Sequence, residues 1–128
     1  MGYNDSMSLK QLEQWTQKFM KSWKDRDPDR VMSLFDTSKL TYFESAVKPP
    51  MTNWNKVYDL WKVVPNNQKD IKISSDIVVS NNSFGVVHWT LSRFFIPTST
   101  YQHIDGIFII SLNKKGLCTY FNQWRSVA

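Results

Sequence analysis

Apolar residues near the start of the chain recur at helical spacing. Leu9, Leu12, Trp15, Thr16, Phe19, Met20 and Trp23 fall in one arc of about 140°, and Lys10, Gln14, Gln17, Lys18, Lys21 and Lys24 take the opposite side. The pattern predicts a helix from about Leu9 to Asp25, capped by Ser8, that packs on its surroundings with one face. Asp27 followed by Pro28 predicts a second helix with Val31, Met32, Leu34 and Phe35 inward. Leu40 to Glu44 reads as a short strand, broken by Lys48-Pro49-Pro50. A third helix is expected from about Thr52 to Val63, with Trp54, Val57, Tyr58, Trp61 and Val64 on one side and Pro65-Asn66-Asn67 as its stop.

From Lys69 the period changes to two. Ile71, Ile73, Ile77 and Val79 alternate with Lys72, Ser74, Asp76 and Ser80. Asn81-Asn82 signals a hairpin turn, Phe84 to Ile96 makes the next strand, and Pro97 to Thr100 the next loop. Gln102 to Trp124 reads as two long strands joined by Asn113-Lys114-Lys115-Gly116, with Gly116 supplying the positive φ such a turn needs. If Leu112 and Leu117 close that hairpin, Phe108 lies opposite Phe121 and Gly106 opposite Gln123. The register of the Phe84–Ile96 strand stays open. A four-residue loop at Pro97–Thr100 puts Trp89 and Arg93 on the face of Phe108, whereas a one-residue slip puts His88 there. Helices first and long antiparallel strands afterwards make an α+β pattern. A curved sheet of four or more strands with the long helix across its concave side would bury both amphipathic faces, leaving a cavity at the wide end of the cone.

At 128 residues the chain fits one domain, expected to span 1–128 with 1–7 as a flexible N-terminus. An apolar fraction of 41% with 15% aromatic argues a packed core, and six Trp supply large rings for cavities as well as cores. The net charge of +5 comes from lysines scattered over expected helix exteriors and turns, which argues against nucleic acid as a partner. The single cysteine, Cys118, excludes an intrachain disulfide and fits a reducing compartment. No apolar run approaches the ~18–20 residues of a membrane span, and no signal-peptide pattern begins the chain, so no membrane partner is expected and the cytoplasm is the expected location. Met1-Gly2-Tyr3-Asn4-Asp5-Ser6 matches a loose myristoylation pattern, and Asn4-Asp5-Ser6 and Asn81-Asn82-Ser83 are formal glycosylation sequons; all are short enough to arise by chance.

The order of elements, with particular residues, resembles the nuclear transport factor 2-like superfamily and within it the SnoaL-like (polyketide cyclase-like) proteins. The residues that carry the resemblance are Asp27-Pro28-Asp29, Met32-Ser33-Leu34-Phe35, Leu40-Thr41-Tyr42, Val57-Tyr58-Asp59-Leu60-Trp61, Asp105-Gly106-Ile107-Phe108, Gly116-Leu117-Cys118 and Gln123-Trp124. It covers nearly the whole chain. It implies an α+β, cone-shaped curved antiparallel sheet wrapped around a long N-terminal helix. Function does not follow from that fold, which hosts isomerases, cyclases, hydrolases, ligand carriers and interaction modules.

Steroid isomerases of this superfamily use a carboxylate base on the first strand, with a tyrosine on the first helix and a protonated acid on the penultimate strand as donors. Carried onto this sequence, the resemblance puts the base at Glu44, the tyrosine position at Phe19 and the second acid at Phe108. Two of the three groups are missing, so that isomerase chemistry is not expected, and Phe19 and Phe108 become apolar walls. Glu44 follows a strongly apolar run, and desolvation there raises a carboxylate toward the range of a general base or acid; the alternative is a strand-end glutamate paired with Lys48. Many SnoaL-like relatives carry glutamate where this chain has Gln123, whose amide keeps hydrogen bonding and loses acid–base ability.

His88 is a second catalytic candidate against a structural role. His103 and Asp105 share a face, but His88 is expected about six residues along, roughly 20 Å at strand rise, so no metal site is expected. In this hairpin register Asp105 opposes Trp124 on the outer face, where the resemblance implies a homodimer contact. Neither a glycine-rich phosphate loop nor a serine-nucleophile motif occurs, so no cofactor is expected and any reaction would be cofactor-independent acid/base chemistry. Cys118 has no activating neighbour in sequence.

The expectation is a small-molecule-binding protein with an aromatic-lined pocket for a small apolar or aromatic molecule. Phe19, Tyr58, Trp61, Trp89, Arg93, Phe108, Phe121 and Gln123 are its ligand-binding residues, with Glu44 and His88 as catalytic candidates. The alternatives are an acid/base enzyme using Glu44, and a protein-interaction module.

Overall fold

In the computed structural model of the protein, residues 7–45 and 47–128 are described. The Met1–Ser6 motifs lie outside them. Helix α1 spans Leu9–Lys24, and Ser8 closes a capping box: its hydroxyl accepts from the Gln11 amide while the Gln11 side chain accepts from the Ser8 amide. Helix α2, Pro28–Met32, starts on the Asp27 cap as the sequence suggests. Strand β1 is Thr41–Phe43, and helix α3 is Trp54–Val63, capped by Asn53 and followed by a 3-10 turn at Val64–Asn67. Strands β2 (Gln68–Ser80), β3 (Gly85–Phe95), β4 (Thr100–Leu112) and β5 (Cys118–Val127) complete the chain. Met7, expected in a flexible segment, is buried, and its amide donates to the Asn82 carbonyl.

The strands form one five-stranded sheet in the order β1-β5-β4-β3-β2, antiparallel except where β1 runs parallel to β5. Bulges between Lys69 and Lys72, between Ile77 and Val79, and between Ser111 and Leu112 bend it around α1. One of them overturns an expectation. Val79 does not continue the inward alternation of Ile71, Ile73 and Ile77; it is turned out by the second bulge and is 58% exposed.

Two hairpin registers also differ from those expected. Asn113 closes the β4–β5 turn on Leu117, its side chain accepting from the Lys115 and Leu117 amides, while Gly116 takes a φ of 79°. Leu112 therefore pairs with Cys118, and the bulge adds a second displacement, so Phe108 lies opposite Gln123 and not Phe121. Asp105 likewise opposes Ser126, and Trp124 opposes Ile107. Two one-residue displacements cancel in facing direction, so Phe108, Phe121 and Gln123 still share the concave face. The β3–β4 loop is closed by the Phe95–Thr100 pair, one position earlier than expected at each end. That change also preserves facing and brings Trp89 and Arg93 inward.

The core lies between α1 and the concave face. Phe19 packs edge-on against Phe108 and Trp61, with centroids 5.6 and 5.3 Å away. Trp89 stacks on Phe108 at 4.9 Å, and Tyr42 on Phe121 at 4.8 Å. Each such pair contributes about 0.5–1.5 kcal/mol beyond its buried area, and shared rings make the cluster a continuous rigid wall. Among the described residues no helix is long and apolar enough to cross a membrane.

Candidate functional site

A cavity of about 240 Å³ opens at the end of the cone, between the C-terminal half of α1, α3 with its 3-10 turn, and the concave sheet. Its apolar wall holds the side chains named from sequence, Phe19, Trp61, Trp89, Phe108 and Phe121, together with Trp23, Tyr42, Leu60, Val64, Phe95 and Ile104. Its polar groups are Glu44, Asn67, Gln68, Arg93, Gln123 and Arg125. The strand alternation that turns Phe121 and Gln123 inward carries Arg125 inward as well, and Tyr42 and Glu44 are related in the same way on and beyond β1.

Four buried indoles surround this region, and three have acceptors. Trp15 donates to the Leu34 carbonyl, Trp23 to Gln68 Oε1, and Trp61 to the Tyr42 hydroxyl. Trp89 is fully buried, and its Nε1–H has no acceptor among the described residues. The indole lies over Gly106, its register partner on β4, where an added Cβ would come within 2.4 Å of the ring. The Tyr42 hydroxyl is fully buried, and burial holds its pKa well above the ordinary phenol range, so it stays neutral.

Glu44 follows β1 and has a side chain only 18% exposed, with Lys48 Nζ 3.3 Å from Oε2. The ion pair weighed from sequence is therefore present, while the carboxylate also lines the cavity. Arg93 is oriented by Gln102 Oε1, which accepts from Nε at 3.1 Å and Nη2 at 2.8 Å, and its guanidinium lies 4.6 Å from the Phe95 ring centroid. Burial first, and then the charge of Arg125, hold the Arg93 pKa below its ordinary value.

Two of the named residues are elsewhere. His88 faces outward, because Trp89 takes the inward position; its Nε2 is 2.9 Å from Asp105 Oδ1 on the outer sheet face. It sits four positions from His103 in register, opposite Ile107, and not six. Among the described residues no three His, Cys, Asp or Glu side chains form a metal-binding group. Tyr58 does not reach the cavity: its hydroxyl donates to the Asp29 carboxylate, an interaction that raises its pKa, and Lys62 caps its ring at 4.7 Å. The helical spacing that groups Tyr58 with Trp61 does not distinguish the side facing α2 from the side facing the sheet.

Sequence reasoning missed Trp23, Tyr42, Gln68 and Arg125. Trp23 lay in the apolar arc of α1, and Tyr42 and Arg125 lay two residues from Glu44 and Gln123, so a signal existed for all three. Gln68 offered none: it is a polar residue at a strand start, buried because it accepts from Trp23 and donates to the Val64 carbonyl.

The sequence matches no protein-family model and no curated protein. Structural comparison shows that the chain has the nuclear transport factor 2-like fold. It is similar to the epoxide hydrolase/cyclase-like enzyme SalBIII, with a role in pyran ring formation in polyether salinomycin: TM-score 0.80, 12% identity, covering 95% of this chain and 98% of that one. The Delta 5-3-ketosteroid isomerase from Mycobacterium sp. is similar at TM-score 0.75 and 9% identity, over 92% of this chain and 98% of that one. RV0760c from Mycobacterium tuberculosis, in complex with estradiol-17beta-hemisuccinate, is similar at TM-score 0.73 and 12% identity, over 88% and 92%. At these identities the likeness carries the fold alone.

Proposed function

We propose that the protein binds a compact apolar or aromatic small molecule in the cone cavity. The observation that carries this reading is the continuous aromatic wall of a cavity of about 240 Å³ with polar groups on its lining. That volume is below the roughly 300–1,000 Å³ of drug-sized ligand pockets, so the ligand is smaller than a drug-sized molecule. Structural neighbours that are enzymes of small molecules or hold a steroid conjugate support the reading. The single buried cysteine agrees with a cytoplasmic location.

A thermal-shift screen of neutral one- and two-ring compounds tests it. A binder present at a hundredfold excess over its Kd stabilises the native state by about 2.7 kcal/mol. The stabilisation is expected to vanish in Leu60→Trp, which fills the cavity from its α3 side, while circular dichroism stays native. Equal stabilisation of both proteins would put the ligand elsewhere and refute the reading.

One observation favours a second reading, an acid/base enzyme: Glu44 is the carboxylate on the cavity lining and is mostly shielded from solvent. For a substrate found by such a screen, Glu44→Gln is expected to abolish turnover while binding stays within a few-fold. Parallel loss of both would make Glu44 an anchoring residue.

A further inference from the structure

The cavity's charges are unbalanced. Among its lining residues Arg93 and Arg125 are cationic and Glu44 alone is anionic, and Glu44 is already paired with Lys48. Neither arginine has a carboxylate partner among the described residues. Arg93 spends two donors on one neutral oxygen of Gln102, which aims the guanidinium without neutralising it and leaves its other N–H groups uncommitted. The register places Arg125 and Trp89 on either side of Gly106, and Gly106 contributes no side chain between them. Trp89 Nε1–H, in that same wall, has no acceptor among the described residues. Two cations thus line the cavity, Arg93 half-buried and Arg125 exposed, and a charge-assisted bond to the half-buried Arg93 is stronger there than in water.

Resting on the reading of the cavity as a ligand site, we infer that its ligand is a compact carboxylic acid: an apolar or aromatic body held among the rings, with its carboxylate accepting from Arg93 and Arg125. A carboxylate accepts from several donors at once and matches the planar guanidinium fork. It also relieves the repulsion between the two arginines. Glu44 follows β1, the neighbour of the β5 strand that carries Arg125, and its pairing with Lys48 reduces its repulsion of such an anion. Arg93 and Arg125 are therefore specificity-determining residues that select an acid over its neutral isostere.

The test is calorimetric titration with benzoate, phenylacetate and indole-3-acetate, each beside its amide, on the wild-type protein and on Arg93→Met and Arg125→Met. Methionine keeps an apolar stem, and the amides report whether the cavity of each variant is intact. At least one acid is expected to bind about tenfold or more tightly than its amide, the usual strength of a hydrogen bond to a charged group. Each variant is expected to bring that acid to the affinity of its amide and to leave the amide within about twofold. Equal affinities of acids and amides would overturn the inference and leave the cavity as a site for neutral ligands. Acid preference retained in both variants would overturn the role of the arginines. Failure of every acid and every amide to bind would overturn the inference together with the reading beneath it.

Discussion

Gly106 leaves room for a tryptophan ring. Its missing side chain is the space that the Trp89 indole occupies, and that indole is held in place by stacking on Phe108 and by contact with Trp23 at 5.3 Å. A methyl group there meets a ring that has no free end to move, so Gly106→Ala is expected to destabilise by about 1–3 kcal/mol, the range for overpacking. Trp89 lines the cavity, so the same substitution should weaken ligand binding. Gly85 is the natural control: an added Cβ there meets the tip of Leu12, a flexible side chain, and Gly85→Ala should cost less than Gly106→Ala. Urea unfolding of both variants measures the order, and the reverse order would mean that Trp89 is not fixed as described. Cys118 illustrates the opposite case, a residue whose chemistry is suppressed by position. Burial pushes its thiol well above the ordinary range, so it serves as packing.

Between elements, the contact most exposed to conditions is the tie from the segment after α2 to the β4–β5 turn. Asp36 Oδ1 accepts from the Ser38 amide and hydroxyl, and Oδ2 accepts from Asn113 Nδ2 at 3.1 Å. These bonds, the Ser38 hydroxyl first, hold the Asp36 pKa below its ordinary value of 3.8. A depressed carboxylate stabilises the fold above its unfolded pKa, and that contribution is lost as pH falls through the lower folded value. The stability difference between wild type and Asp36→Asn should therefore be largest near neutrality and shrink as pH falls below about 4. A difference independent of pH would make the tie a matter of shape rather than charge.

The elements themselves were legible in the sequence because their signals are local. Ser8 with Gln11, Asp27 with Pro28, and the switch to twofold alternation each act within a few residues. Register was less legible because it depends on how turns close. The Asn113 side chain and the bulge near Thr119 moved the pairing of β5 by two positions, and only the even sum kept the inward set intact. The candidate site was legible to the same extent. Residues on strands and on α1 were placed by alternation or by arc, whereas Tyr58 depended on which neighbour α3 met, and His88 on the same parity that favoured Trp89. The arginine at 125 was missed although it follows Gln123 by one strand period.

On the scale of the molecule, one face of the sheet is covered by helices and the other is not. The outer face carries Trp124, 42% exposed, opposite Ile107, with Phe84, 43% exposed, and Tyr120 in contact nearby. The His88–Asp105 pair borders this apolar group, and Asn122 Oδ1 is buried beneath it with no partner among the described residues. We propose that a second copy of the chain packs here, related by a twofold axis. A stable contact of this kind buries about 800 Å² on each side. Sedimentation equilibrium should give a dimer for the wild-type protein and a monomer for Trp124→Glu with native secondary structure, and a wild-type monomer would refute the pairing.

The two faces are separable by experiment, and the proposed ligand site lies on the concave one. The most direct measurement is a set of intermolecular NOEs between the protein and a saturating aromatic ligand. Contacts are expected from the ligand to ring protons of Trp89, Phe108 and Phe121, the wall of the cavity. Contacts confined to Trp124 and Ile107 would place the ligand on the outer face and contradict it.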